Sequence, residues 1–286
     1  MLSEIGKATI GLIITCLDTN RQKSVYTLVF SDTLFIGKMS IPAILYGIQN
    51  LLLYTALGHL EASVYQITYQ IKTFTTAVFA MIILNRIFDS MQWLSFFLLF
   101  IGAISANLSV IDNDNNNNDV KQFDMIGVIC VCCAAITSGI VGNYLEKIFK
   151  NDKSRSIYVK NIHLGIFGCI AAFICSLFTN EFNDIIYPYG FFQGFTNITW
   201  IVVILNMCSG YIVAFVIYWT SNIIKAFAAE VSIILIIIGS WNWMFFDAQI
   251  TKLFIFGAMC VLCGNALYTR QKMKQTQNRI LKILIN

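Results

Sequence analysis

Charge, proline and histidine are all scarce in this sequence. Of 286 residues only 12% are Asp, Glu, Lys or Arg, two are proline and two are histidine, while 57% are hydrophobic. So little charge fits neither a soluble globular enzyme nor a disordered chain. An integral-membrane enzyme would need His, acidic or nucleophilic groups converging at a membrane surface, and here the histidines and acidic residues are scattered. A secretory leader is not in view either. Residues 1–17 are mostly apolar, but Glu4 and Lys7 interrupt them and no cleavage site follows, so they read as a shortened transmembrane helix. Cysteine is not rare, but all nine cysteines fall inside apolar runs, which argues against a disulfide framework. Cys260-x-x-Cys263 has no His or acidic neighbour and reads as small packing residues; no metal or cofactor is expected.

What is present is a series of apolar runs near the 20 or so residues that span a bilayer as a helix. Nine are predicted: 2–17, 39–58, 62–84, 91–110, 125–145, 158–178, 200–219, 223–246 and 253–268. The fold class is therefore all-α, a polytopic membrane helix bundle. Alternate loops differ in basic residues. Arg21, Lys23, Lys38, Arg86, Lys147, Lys150, Lys153, Arg155 and five residues of the tail fall on one side, against Lys121 and Lys252 on the other. The positive-inside rule places the richer side, with the tail after Tyr268, in the cytosol.

The Asn/Asp-rich stretch from Asp112 to Asp119 cannot bury apolar surface and is expected as a solvated lumenal loop. The expected organisation is 1–110 as a first set of helices, 111–123 as that loop, 124–268 as a second set and 269–286 as a basic cytosolic tail. Each set contains a lysine where lysines are costly, at roughly +2.5 to +3.5 kcal/mol near a helix centre. The frames echo one another: Lys72-Thr73-Phe74-Thr75 and Lys225-Ala226-Phe227-Ala228. Their helices run in opposite directions through the membrane, which suggests two inverted repeats with a site near the midplane. Small-residue pairs (Gly102 with Ala106, Ala135 with Gly139, Ser138 with Gly142) predict close helix packing.

The densest polar patch in any span runs from Tyr65 to Lys72. At 100° per residue Tyr65, Tyr69, Lys72 and Thr76 share one stripe. Two phenols can stack on a planar base while the ammonium meets a phosphate; the bland reading is interfacial tyrosines and a snorkelling lysine. Asn222 and Lys225 share a face in the second set, where Lys225 either binds an anion or snorkels to the surface. Glu230 lies about 140° round from Lys225 and needs another partner, Lys7 or Lys160, unless it titrates. Glu4 with Lys7 and Glu146 with Lys150 are spaced to pair, and His163 reads as a hydrogen-bonded packing residue.

At these residues the chain resembles the Golgi-type nucleotide-sugar transporters, the group of CMP-sialic acid, UDP-galactose and UDP-N-acetylglucosamine carriers. The Tyr65-Gln-x-x-Tyr69-Gln-x-Lys72 string is the most specific part. Glu4-Ile-Gly-Lys7, Gln49-Asn50, Gln92-Trp93-Leu94-Ser95, Ser138-Gly139, Tyr144-Leu145-Glu146-Lys147, Asn161-Ile162, Gly190-Phe-Phe-Gln-Gly194 and Asn222-Ile223-Ile224-Lys225 extend it. The resemblance implies ten helices in two inverted halves, the family's first being absent here, and a multi-pass Golgi membrane protein. It implies exchange of a pyrimidine nucleotide sugar, UDP-linked by preference, for the nucleoside monophosphate. It puts Asn50, Tyr65, Tyr69, Ser138 and Asn161 around the nucleotide and Lys72 and Lys225 on its phosphates. The implied partners are those two nucleotides and the lipid bilayer, with a homo-oligomer left open and no nucleic acid. The chain departs from the family pattern at Leu51, Lys160, His163, Ser221, Ala226 and Glu230. A transporter of another anionic or amphipathic metabolite and a membrane receptor are the alternatives.

Overall fold

The computed structural model describes residues 1–17, 29–30, 32–60, 62–114, 124–152, 154–178, 190, 192, 194–242 and 252–285. Among these every regular element is an α-helix: α1 (Leu2–Leu17), α2 (Thr33–His59), α3 (Ala62–Tyr69), α4 (Lys72–Leu84), α5 (Ser90–Asp114), α6 (Met125–Asn151), α7 (Ile157–Phe178), α8 (Asn197–Trp219), α9 (Asn222–Asn242) and α10 (Lys252–Ile285). In lipid a backbone must satisfy its own polar groups, and helices do so within one segment. All nine expected spans are helical where described. Six described segments are long and apolar enough to cross a bilayer: Thr33–His59, Val64–Leu84, Met125–Asn151, Ile157–Leu177, Asn197–Trp219 and Lys252–Gln275. The 16 residues of α1 make about 24 Å of helix, short of a hydrocarbon core of about 30 Å. The chain is a multi-pass helical membrane protein.

The structure adds detail to three stretches. The expected tail is helical, because α10 continues without interruption to Ile285. Its residues 269–285 contain neither glycine nor proline and are mostly good helix formers. Asp112 to Asp114 belong to α5; the rest of the Asn/Asp-rich stretch, 115–123, and the end of the eighth span, 243–246, lie outside the described residues. The third span is not one continuous α-helix but tightens into a turn at Gln70 and Ile71.

The helices group into two compact units. The first comprises Met1–Leu52 and Val141–Asn222, the second Leu53–Ile140 and Ile223–Asn286. Each therefore draws on residues from both sides of the Asn/Asp-rich stretch.

In the first unit α1 packs on α7 and α8. Its core joins Phe35 and Met39 of α2, Val141, Leu145 and Phe149 of α6, and Ala214 and Ile217 of α8. The expected Glu4–Lys7 pair is present at 2.5 Å, and the Tyr211 hydroxyl donates to the Lys7 carbonyl at 2.6 Å. His163 is the packing residue expected, each ring nitrogen lying 2.8 Å from a carbonyl oxygen, of Val159 and Val29. Thr196 and Thr199 form a reciprocal capping box that starts α8.

In the second unit α5 packs along α10, and α3 and α4 pack on α5. The small residues act as read. A Cβ on Gly102 would come within 2.7 Å of the Gly257 carbonyl oxygen, and one on Gly139 within 2.9 Å of the Thr75 backbone. Helix backbones thus approach as closely as glycine alone allows. Ala77 and Ala80 of α4, Phe96 and Leu99 of α5, Ile223 and Phe227 of α9 and Phe254, Val261 and Tyr268 of α10 form the core.

In the first unit Lys38 and the segment from Lys147 to Arg155 line one cavity of about 420 Å³. In the second, Asp89, just past Arg86, accepts hydrogen bonds from Gln271 and Gln275 of the tail, each 2.8 Å. At the other end His59 and Asp124 meet at 2.8 Å.

Candidate functional site

The polar patch of the second unit is built on the turn between α3 and α4. Three bonds there span three residues rather than four: Gln70 N–H to Ile67 O and Ile71 N–H to Thr68 O, both 3.2 Å, and Thr73 N–H to Gln70 O, 3.1 Å. This tightening changes the angular step assumed for an ideal α-helix. It nevertheless leaves three of the four stripe residues together. Tyr65 and Tyr69 stack, with ring centroids 5.9 Å apart and planes 17° from parallel. The Lys72 ammonium lies 4.8 Å from the Tyr69 ring centroid. Aromatic face and cation are thus paired before any ligand arrives, an interaction worth about 0.5–1 kcal/mol where partly exposed.

Thr76, the fourth member, is buried, as is Thr73. The hydroxyl facing the neighbouring helix belongs to Thr75, 2.7 Å from Ala135 O and 3.0 Å from Lys72 O. That contact, with Gly139 opposite, fixes the start of α4 against α6 next to half-buried Ser138. Lys225 is half-buried on α9 in the same unit. Gln70, two residues before Lys72, is buried with Oε1 lacking a hydrogen-bond partner among the described residues. The sequence reading passed over it as part of a motif.

The two lysines offered to Glu230 have partners of their own. Lys7 is held by Glu4, and Lys160, wholly buried, donates to the Phe149 carbonyl at 3.2 Å and to the Asp152 carbonyl. Glu230 is itself buried on α9 in the second unit, with Oε1 lacking a hydrogen-bond partner among the described residues.

The remaining candidates belong to the first unit. Asn50 is exposed on α2. Asn161 is buried, and its amide donates within its own helix to Ile157 O at 3.2 Å. Asn222 is buried with Oδ1 lacking a partner among the described residues, and its backbone N–H donates to Glu146 Oε2 at 2.9 Å. Gly142 makes room for that amide, since a Cβ there would collide with the Asn222 side chain. Glu146 also pairs with Lys150 at 2.5 Å as expected, but its second oxygen escaped the sequence reading because Asn222 is 76 residues away.

The cavity of the first unit is rimmed by Arg155, which reaches Asp152 at 2.5 Å and Asp32 at 2.6 Å and lies 4.1 Å over the Phe35 ring. The Phe35 N–H and then Arg155 hold the Asp32 carboxyl below its ordinary range. At Asp152 burial opposes ionisation, but the Ser154 hydroxyl and Arg155 outweigh it and hold that carboxyl low too. These charges satisfy one another.

The family described as nucleotide-sugar transporters matches residues 1–269 of this chain. Among its relatives, a UDP-N-acetylglucosamine transporter of Rattus norvegicus is 38% identical over 232 residues, 81% of this chain and 70% of the relative. A UDP-galactose transporter of Schizosaccharomyces pombe is 35% identical over 242 residues, 85% of this chain and 67% of the relative. A UDP-galactose/UDP-N-acetylglucosamine transporter of Caenorhabditis elegans is 32% identical over 271 residues, 94% of this chain and 72% of the relative. With a stacked tyrosine pair beside an intramembrane lysine in a helical bundle, and similarity of this extent, the chain belongs to the nucleotide-sugar transporter family.

Proposed function

We propose that this protein exchanges a UDP-linked sugar, galactose or N-acetylglucosamine, for UMP across the Golgi membrane. The observation that carries the reading is the Lys72 ammonium 4.8 Å over the ring of Tyr69, itself stacked on Tyr65. An aromatic face beside a cation is complementary to a base and a phosphate, the two parts that a nucleotide sugar shares with its monophosphate. In this reading Tyr65, Tyr69, Ser138 and Thr76 serve the nucleotide, with Lys72 and Lys225 on its phosphates. Asn50, Asn161 and Asn222 remain nucleotide candidates on the family resemblance alone. The names of the relatives support uridine over cytidine and these two sugars.

Transport then requires no covalent chemistry. Phosphates lose hydration on entering the membrane, and ammonium groups replace part of it. A returning monophosphate offers the same phosphate to the same cations, which links the two directions of movement.

The test is uptake of labelled UDP-galactose, UDP-N-acetylglucosamine and CMP-sialic acid into proteoliposomes preloaded with UMP or CMP. Uptake of a UDP-sugar that depends on internal UMP is the expected result. Uptake of CMP-sialic acid alone would overturn the base assignment, and silence toward all three would overturn the substrate class.

A further inference from the structure

The cavity of the first unit has no part in the proposed exchange, and none of the residues lining it is among those proposed for the nucleotide. At about 420 Å³ it falls within the usual size of a small-molecule site. One wall is a single face of α6, where Tyr144, Lys147, Ile148 and Asn151 recur at i, i+3, i+4 and i+7. Another is the start of α2, where Leu34 and Lys38 lie four residues apart on one face. The charges around the cavity are unequal. Asp32 and Asp152, the two acids that line it, both close on Arg155, at 2.6 and 2.5 Å, and Arg155 in turn covers the Phe35 ring. Glu146, the acid beside Lys147, is taken by Lys150 and by the Asn222 N–H. Lys38 and Lys147 are exposed, and neither has an ion-pair or hydrogen-bond partner among the described residues. A lone surface lysine needs only water. Two on separate helices that line one cavity repel each other while it is empty, and an anion between them removes that repulsion.

We propose that this cavity binds a phosphate group, with the Lys38 and Lys147 ammonium groups as its ligands. Arg155, locked by two carboxylates, is a fixed wall rather than a ligand. Lysine suits the task, since a compact ammonium on a flexible stem follows a phosphate as a point charge. The Asn151 amide and the Tyr144 hydroxyl, on the same face of α6 as Lys147, are the uncharged donors available beside it. The positive-inside rule assigns this end of the unit to the cytosol, where such a group comes from the headgroup of an anionic lipid or from a soluble phosphate. Leu34, 68% exposed one helical turn before Lys38, fits a headgroup whose acyl chain stays in the bilayer.

The test uses the full chain in detergent, with dioctanoyl phosphatidylinositol 4-phosphate and inorganic phosphate as the probes and the rise in melting midpoint as the readout. Saturable binding is expected. Lys38→Gln and Lys147→Gln each weaken it about tenfold, the loss of one charge-assisted contact, and leave the midpoint without probe unchanged because both side chains are exposed. Lys252→Gln removes one charge from the side poor in basic residues and changes binding less than about twofold. Lipid binding that inorganic phosphate does not displace names the headgroup as the source. Displacement, or lysine-dependent binding of inorganic phosphate alone, names a soluble phosphate, and either result supports the site. No saturable binding of either probe, or equal weakening by all three substitutions, would overturn it.

Discussion

The carboxylate of Glu146 accepts the backbone N–H of Asn222 at 2.9 Å, tying the first residue of α9 to a residue of α6 that is itself fully buried. Lys150 completes the arrangement, reaching Glu146 Oε1 at 2.5 Å and the Thr220 carbonyl at 2.6 Å. The start of the helix that carries Lys225 is therefore held by two charge-assisted hydrogen bonds rather than by its own sequence.

Glu146→Ala leaves that N–H unpaired and the Lys150 charge uncompensated. The expected loss is about 2–4 kcal/mol of stability, read as a lower melting midpoint in detergent. Lys150→Ala costs less, because that side chain is 35% exposed and its charge is partly screened. Equal losses for the two would contradict a buried anchor at Glu146.

Tyr69→Leu removes the ring under the Lys72 ammonium and the stack with Tyr65. UMP affinity measured by calorimetry is expected to fall about tenfold, the worth of one aromatic contact of about 1–1.5 kcal/mol, while Tyr69→Phe retains most of it. Lys72→Ala and Lys225→Ala are each expected to abolish exchange with the melting transition preserved. Near-normal uptake by both would remove the lysines from the mechanism.

Close packing gives a prediction with an internal control. Gly139→Ala forces α4 and α6 apart at Thr75 and is expected to destabilise by about 1–3 kcal/mol. Gly37→Ala and Gly58→Ala meet nothing within 4 Å and are expected to be neutral or to stabilise by up to about 1 kcal/mol, since alanine is the better helix former. Thermal melting of the three variants distinguishes them.

The docking of the tail responds to acid. Hydrogen bonds from Gln271, then Gln275, hold the Asp89 carboxyl below its ordinary value, so its affinity for protons is lower when folded. The contribution is present above the ordinary carboxylate pKa of about 4 and is lost as pH falls through the lower folded value. Hydrogen-exchange protection at Gln271 and Gln275, corrected for intrinsic rate, is expected to hold from pH 7 to about 5 and to fall below about 4. Asp89→Ala lowers it at every pH. Protection that ignores both would mean that Asp89 does not hold the tail.

Local patterns carried the parts of the fold that depend on neighbours in sequence. Apolar run lengths gave the spans, three- and four-residue spacings gave the Glu4–Lys7 and Glu146–Lys150 pairs, and small residues four apart marked the close contacts at Gly102, Gly139 and Gly142. The Tyr65, Tyr69 and Lys72 grouping was legible for the same reason, because all three lie within eight residues. The turn at Gln70 and Ile71 was not, since a polar helix and one tightened by three-residue bonds present the same residue types.

Sequence by itself thus determined a membrane-spanning helical chain, its charge asymmetry, its family and the grouping of Tyr65, Tyr69 and Lys72. These follow from composition and from short-range geometry, which any helix in lipid must obey. Tertiary structure alone decided that Glu146 anchors Asn222, that Lys160 is held by backbone carbonyls and that the basic tail docks on Asp89. In each case the partners are set by which helices pack together, and a buried charge takes whatever opposite group or carbonyl that packing brings within reach.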